Sequence, residues 1–249
     1  MQHRRTHTRS AALLLALLFA MLVAMLVASA ARLPAQAHES WPLVGALPFA
    51  NSVVGDERVA LNPLTSGVPE LILIELARNP AIRTVEPERL RRVLASQRLD
   101  PQGRLDDEAA SRIGRILGAQ WVIRGTFTGD GHGTIRIAAY MVDVATAQVE
   151  HTASAEGKQA ILAALIGQIS EHLGNDMHLA ELPKDGKRAH DVVQKASYQT
   201  TLMFARAIEA RDAGRLQQAI TMLQQLLADE PEYEPAQNEL TRLHSDRGR

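Results

Sequence analysis

The chain of 249 residues contains no cysteine. Without cysteine it forms no disulfide, and it has no thiolate for nucleophilic catalysis or metal binding. An N-terminal cysteine is also the point where bacterial lipoproteins carry their lipid. We therefore do not expect a lipidated outer-membrane lipoprotein.

The sequence also lacks an excess of positive charge. It has 27 lysines and arginines against 28 aspartates and glutamates. A leader spanning residues 1–37 would remove four arginines and no acidic residue. The mature chain is then net acidic, so nucleic acid is not expected as a partner.

Patterns typical of metal and cofactor sites are missing as well. None of the nine histidines has a second ligand at the helical or hairpin spacing of a metal site. His172 and His178 come nearest, and their pattern is more typical of surface residues. The acids at 106–108 lack the alternating ligands and central glycine of a calcium loop, and they suit the start of a helix. We predict no metal and no cofactor.

Catalytic motifs are equally scarce. No serine lies in a nucleophile-elbow sequence, and nothing marks a pair of carboxylates for glycoside cleavage. The glycine-rich stretch 129–133 precedes a predicted strand, whereas a phosphate-binding loop leads into a helix. A β-hairpin turn explains it better. We therefore predict that the protein is not an enzyme.

The N-terminus has the pattern of an export signal. Three arginines and no acid in residues 1–10 precede an apolar stretch at 11–31, and small residues alternate at 28–30 and again at 35–37. We predict a signal peptide over 1–37, with cleavage after Ala37. An uncleaved membrane anchor is the alternative, because about 20 apolar residues span a bilayer. Both interpretations place the rest in the periplasm.

The periodicity of residues 38–173 predicts an α/β domain. In residues 41–49, both the odd-numbered and the even-numbered positions carry apolar side chains, which is typical of a strand buried on both faces. The predicted strands are 41–49, 82–85, 121–128, 134–144 and 148–155, and the predicted helices are 66–77, 87–94, 106–117 and 161–173. Ser66 is the expected cap of the first helix. The fold class is α/β: a mixed sheet of about five strands flanked by helices, in the order β-α-β-α-α-β-β-β-α.

The C-terminal part is predicted to be helical. Residues 174–195 show little periodicity and are interpreted as a linker. In 196–249, Ala207, Gly214, Ala219 and Pro231 fall at the offsets of a 34-residue tetratricopeptide unit. We expect an α-helical tetratricopeptide hairpin with a capping helix. One unit is too few to stand alone, so it should dock on the α/β domain or on a partner.

Four segments carry a family resemblance. They are Val-Gly-Ala-Leu-Pro-Phe at 44–49, Leu-Ala-Ser-Gln at 94–97, Gly-Ala-Gln-Trp-Val-Ile-Arg-Gly at 118–125 and Val-Asp-Val-Ala-Thr at 142–146. Over residues 41–173, their order and spacing resemble the periplasmic domain shared by CsgG-like curli-secretion proteins, the FlgO flagellar-assembly group and the TolB amino-terminal domain. The resemblance implies an assembly and docking module. The chain lacks the lipidated cysteine and the extra long hairpins of the curli pore, so a secretion pore is not expected.

Seven residues are predicted to contact a partner. The stretch 51–65 leaves a central strand and has no predicted structure, and such loops are often binding elements. Its polar side chains are Asn51, Asp56, Glu57 and Arg58. The other candidates line the expected helical groove: Arg206, Arg211 and Gln218. An ordinary solvent-exposed loop and solvated helix faces are the alternative interpretations.

The predicted function is that of a non-enzymatic periplasmic protein-binding or assembly module. It would dock envelope proteins through the α/β domain and the helical repeat. The alternative is a membrane-anchored sensor or accessory protein that binds a small ligand or glycan in the α/β crevice. The identity of the partner, the pathway and the existence of a homo-oligomer are left open by the sequence.

Overall fold

The computed structural model describes residues 41–96, 105–179 and 181–247, with residues 246 and 247 described by their backbone alone. The predicted leader and its cleavage site lie outside the described residues.

A mixed six-stranded sheet forms the centre of the fold. Its order is β3-β1-β4-β5-β6, and β2 pairs with the far part of β4. β1 is parallel to β3 and β4, whereas β4, β5 and β6 are antiparallel. The strands are β1 (Leu43–Ala46), β2 (Ala50–Asn51), β3 (Arg83–Thr84), β4 (Trp121–Gly129), β5 (Thr134–Asp143) and β6 (Val149–Lys158). The predicted fold class is confirmed, with the short β2 added.

The helices flank the sheet and continue into the C-terminal region. They are α1 (Glu57–Leu61), α2 (Leu64–Ala77), α3 (Pro87–Ser96), α4 (Asp107–Leu117), α5 (Leu162–Asp176), α6 (Lys184–Gln194), α7 (Tyr198–Asp212), α8 (Leu216–Asp229) and α9 (Glu234–Arg247). A short 3₁₀ turn, Gln159–Ile161, precedes α5.

The two faces of the sheet have separate apolar cores. Val44 and Ala46 of β1 belong to the core on the side of α2 and α5. Leu47 belongs to the other, packed with Ile113 and Leu117 of α4. The half-buried Leu90 of α3 packs against this second core. The connections from β1 to β3 and from β3 to β4 therefore lie on opposite faces.

Local signals place α4 and the β4–β5 hairpin as predicted. The Asp106 side chain accepts a hydrogen bond of 2.7 Å from the Ala109 N–H, and Gly118 ends α4 at φ 66°. In the hairpin turn, the N–H groups of Thr134 and His132 donate to Asp130 at 2.9 and 2.8 Å. These bonds hold the pKa of Asp130 at about 2. The glycine-rich stretch is a turn.

The stretch 51–65 is structured, contrary to the prediction. It contains β2 and α1, and α2 begins at Leu64 after Pro63, two residues before the expected cap Ser66. Pro63 lies at φ −56°, an angle that proline imposes and that suits a helix start. The helical span Glu57–Ala77 is long and apolar enough to cross a membrane, but 61% of its most apolar window is buried inside the protein. Packing on the sheet accounts for that composition.

The expected linker contains helix α6. This helix buries two side chains, His190 and Val193. A helix anchored by one histidine and one valine leaves almost no apolar periodicity, so the pattern of residues 174–195 did not indicate it.

Helix α7 packs directly on α2, as the expected docking on the α/β domain requires. A Cβ on Gly67 of α2 would lie 2.3 Å from the Ala205 Cβ of α7, so glycine permits this close crossing. Phe204 of α7 packs edge-to-face on Tyr233, with ring centroids 5.8 Å apart. The apolar core on the α2 side extends through α7, α8 and α9. Assignment of these helices to the tetratricopeptide class stays a prediction.

Candidate partner-binding site

The segment from β2 to α1 is held in place by Asn51. Its Nδ2 donates to the Arg58 carbonyl at 2.9 Å, and its Oδ1 accepts from the Val53 N–H at 3.1 Å. Asn51 is 8% exposed, so both of its polar groups are used inside the segment. It positions the site and does not present a polar group to solvent.

Two valines of this segment face solvent. Val53 and Leu61 are buried and fix its two ends, whereas Val54 is 82% and Val59 is 81% exposed. Asp56 and Arg58 are exposed between them. We call Val54, Asp56, Arg58 and Val59 the α1 surface. It presents two apolar side chains and two opposite charges on an anchored backbone.

The α1 surface adjoins other parts of the chain. Glu57 is half-buried and accepts a 3.5 Å hydrogen bond from Gln159 of the 3₁₀ turn. Asn62, after α1, donates to Glu209 of α7 at 3.0 Å. Burial raises the pKa of Tyr198 on α7, while nearby Arg206 lowers it and Glu57 raises it further. Two predicted residues, Glu57 and Arg206, therefore act electrostatically on the same tyrosine.

The remaining helical candidates lie elsewhere. Exposed Arg206 borders a groove of about 430 Å³ between α7 and α8, beside Met203 and Met222. Gln218 is exposed on α8, and its Oε1 accepts from Arg215 at 3.0 Å. Arg211 differs from the expectation, because it is 3% exposed and its guanidinium is occupied by carboxylates.

Arg211 is the centre of a buried charged cluster. Its Nη2 lies 3.0 Å from Glu70 of α2, its Nε 2.8 Å from Asp212 and its Nη1 3.3 Å from Glu239 of α9. Burial alone would lower the pKa of Arg211, but these three carboxylates raise it above its ordinary value. The cluster joins α2, α7 and α9.

A crevice lies next to this cluster, at the carboxyl ends of β1 and β3. Its volume is about 400 Å³, and α2 and α3 form its two sides. Of the predicted stretch 51–65, it is Thr65 that lines this crevice. Sequence reasoning missed Arg91, which lines it from α3. A half-exposed arginine on a charged helix gives no pattern that separates it from a solvated one.

A second buried polar cluster holds α6 against α2 and α5. The Nδ1 of His190 pairs with Glu75, and the Nε2 of His190 lies 3.0 Å from Glu171 of α5. Glu75 also pairs with Arg78 at 2.9 Å. Gln194 contacts the His190 ring. The hydrogen bond to Glu75 raises the pKa of His190 above its ordinary value, against the opposing effect of burial and with further support from Glu171.

Replacement of His190 with glutamine should remove part of the pH dependence of stability. A raised folded-state pKa makes protonated His190 stabilising below its unfolded pKa of about 6.5, and this contribution is lost as pH rises through the folded-state value. We expect H190Q to cost about 1–3 kcal/mol at pH 6 and less at pH 9. Urea unfolding across this range measures the difference. H172Q, on exposed α5 surface, is the matched control, and an H190Q cost that does not change with pH would contradict the assignment.

Among the described residues, no group of three or more histidine, aspartate or glutamate side chains is placed to hold a metal ion. The described part thus combines a mixed α/β sheet, docked C-terminal helices, an exposed α1 surface and a crevice at the sheet edge.

No protein-family model and no curated protein match this chain. Solved structures do match it. The LpoB C-terminal domain from Salmonella enterica matches at 17% identity, over 52% of this chain and 91% of that one, with a TM-score of 0.35. Lipoprotein GNA1162 from Neisseria meningitidis matches at 14% identity, over 55% of this chain and 96% of that one, with a TM-score of 0.40.

TolB from Acinetobacter baumannii matches at 12% identity over 55% of this chain, with a TM-score of 0.37. The match spans 28% of the TolB chain. TolB is one of the proteins that the sequence resemblance named, and the resemblances to the CsgG-like and FlgO groups stay predictions. Similarities of this size do not assign a function to the chain.

Proposed function

We propose that this protein is a non-enzymatic binding and assembly module of the bacterial cell envelope, and that it docks a partner protein through the α1 surface. The observation that carries the proposal is the exposure of Val54 and Val59, at 82% and 81%. These are the most exposed of the large apolar side chains in the described residues. Val54 and Val59 flank the charged Asp56 and Arg58 in one short segment, and exposed apolar patches with a polar rim are typical of protein contacts.

The backbone beneath the valines supports this role. Asn51 bonds to both ends of the turn, and Val53 and Leu61 are buried at its flanks. A pre-ordered segment loses little conformational entropy on binding, so more of its contact energy is available for affinity. Asp56 and Arg58 supply opposite charges that orient a partner and discriminate between partners.

The cellular location follows from the predicted leader. If it is cleaved after Ala37, the module is soluble in the periplasm; if it is retained, the module is tethered to the inner membrane. Either location gives access to envelope proteins. The groove beside Arg206 provides a second contact with a partner, as the helical hairpin was expected to do.

The double variant V54E/V59E should lose the partner without losing the fold. Two charges placed in an apolar contact should weaken binding roughly a hundredfold. Both side chains face solvent, so the free energy of unfolding should change by less than about 0.5 kcal/mol. A chemical crosslink in intact envelopes, followed by mass spectrometry, identifies the partner, and titration with the purified partner measures the affinity.

The control is I116E, which places the same charge on α4 at a position that is 49% exposed. This variant should retain the partner. A partner that binds V54E/V59E and I116E with equal affinity would exclude the α1 surface as the docking site.

A further inference from the structure

The crevice between α2 and α3 lies where the topology of the sheet changes direction. From β1 the chain passes through α2 on one face to β3, and from β3 it passes through α3 and α4 on the opposite face to β4. The carboxyl ends of β1 and β3 therefore open into the gap between α2 and α3. Open α/β sheets bind their ligands at this position.

The size and lining of the crevice suit an alkyl chain. Its volume of about 400 Å³ lies within the range of about 300–1,000 Å³ typical of small-molecule sites. Much of its lining is aliphatic and includes the side chains of Pro48, Pro69, Leu73, Val85, Leu90 and Leu94.

Arg91, which lines the crevice, has unused hydrogen-bonding capacity. Its Nη1 donates to the Arg211 carbonyl at 2.8 Å and its Nη2 pairs with Glu88. Its Nε is buried without a hydrogen-bond partner among the described residues. Burial lowers the pKa of Arg91, attraction from Asp212 raises it, and repulsion from Arg211 lowers it. A negatively charged acceptor would supply the missing hydrogen bond and stabilise the charge of Arg91.

The acids around the crevice restrict the charge of a ligand. Glu70 and Asp212 are both engaged by Arg211, so neither is available to bind a cation. Glu88 is 36% exposed, so it can move into solvent when another carboxylate takes its place on Arg91.

We propose that this crevice binds a single-chain fatty carboxylate, with the alkyl chain between α2 and α3 and the carboxylate on Arg91. The site shares no residue with the α1 surface, and it does not rest on the proposed docking function. It gives the chain a ligand-binding activity in addition to protein contact.

Calorimetric titration of the full chain with octanoate, octanol and octylamine tests the proposal. Octanoate should bind about tenfold more tightly than octanol, which corresponds to about 1.4 kcal/mol for one charged hydrogen-bonded contact. Octylamine should bind more weakly than either. R91Q should reduce octanoate affinity about tenfold, to the level of octanol, and leave octanol affinity unchanged.

Two variants separate the crevice from general surface binding. Ala95 lines the crevice and is exposed on α3, so A95W should fill the cavity without disturbing the core and abolish octanoate binding. R92Q removes a neighbouring exposed arginine that does not line the crevice, and it should leave binding unchanged. Unfolding midpoints confirm that each variant is folded.

Several outcomes would overturn the proposal. They are absence of octanoate binding, equal affinity for octanoate and octanol, and unchanged octanoate binding in R91Q or A95W. Tighter binding of acetyl-leucyl-leucine than of octanoate would reassign the site to a peptide carboxylate and would also reject it.

Discussion

Replacement of Arg211 with methionine is expected to lower the free energy of unfolding by about 3–5 kcal/mol. Methionine fills a similar length of apolar space but leaves Glu70 and Glu239 without their shared cation. The Glu239 side chain is 5% exposed and still has Arg242 as an ion-pair partner after the substitution. The Glu70 side chain is 15% exposed. Removal of one partner from a buried ion pair leaves an uncompensated charge, and that charge accounts for most of the loss. Urea unfolding followed by circular dichroism measures it.

R206M is the matched control, because Arg206 is an exposed arginine on the same helix, α7. It should change stability by less than about 0.5 kcal/mol. E70Q combined with R211M should recover part of the loss, since it removes one of the charges left unpaired. Equal effects of R211M and R206M would show that the cluster contributes nothing to stability.

The elements that periodicity and local signals define were predictable. Residues 121–128, 134–144 and 148–155 alternate or are β-rich, and they became β4, β5 and β6. The α4 helix carried its own start and stop signals at Asp106 and Gly118. Such signals act within a few residues, so they can be read from a single chain.

The missed elements depend on distant contacts. Helix α6 is anchored by the pairs that His190 makes with Glu75, more than a hundred residues earlier in the chain, and with Glu171. The stretch 51–65 is ordered by the Asn51 side chain, whose two bonds no spacing rule marks. In both segments a polar side chain supplements a small number of buried apolar ones, among them Val53, Leu61 and Val193.

The candidate site in residues 51–65 stays a prediction, and its local structure differs from the one expected. Sequence reasoning pointed to the loop after the first strand and to its charges, and Asp56 and Arg58 are indeed exposed there. The exposed Val54 and Val59, which flank these charges, were not singled out, because exposure is decided by tertiary packing. The burial of Arg211 was missed for the same reason, because the sequence of its helix does not indicate that this arginine is buried.

Replacement of Gly67 with leucine is expected to destabilise the protein by about 3 kcal/mol, at the upper end of the usual cost of overpacking. A Cβ at this position would lie 2.7 Å from the Ala205 Cα as well as 2.3 Å from its Cβ, so the backbones of α2 and α7 would have to separate. That separation would also strain the Asn62 contact with Glu209 and the Arg211 pair with Glu70. Urea unfolding gives the loss, and limited proteolysis near 195–197 should show faster cleavage.

Alanine substitutions isolate the helix crossing from helix propensity. At Gly186 of α6 a Cβ would meet its nearest neighbours at 3.7 Å, an ordinary contact, so G186A should stabilise by about 0.5–1 kcal/mol through propensity. G67A should destabilise despite the same gain in propensity. A205G in the G67A background removes the Cβ–Cβ clash, and the double-mutant cycle should show a favourable coupling of about 1 kcal/mol. If G67A stabilised the protein as G186A does, the close crossing of α2 and α7 would be ruled out.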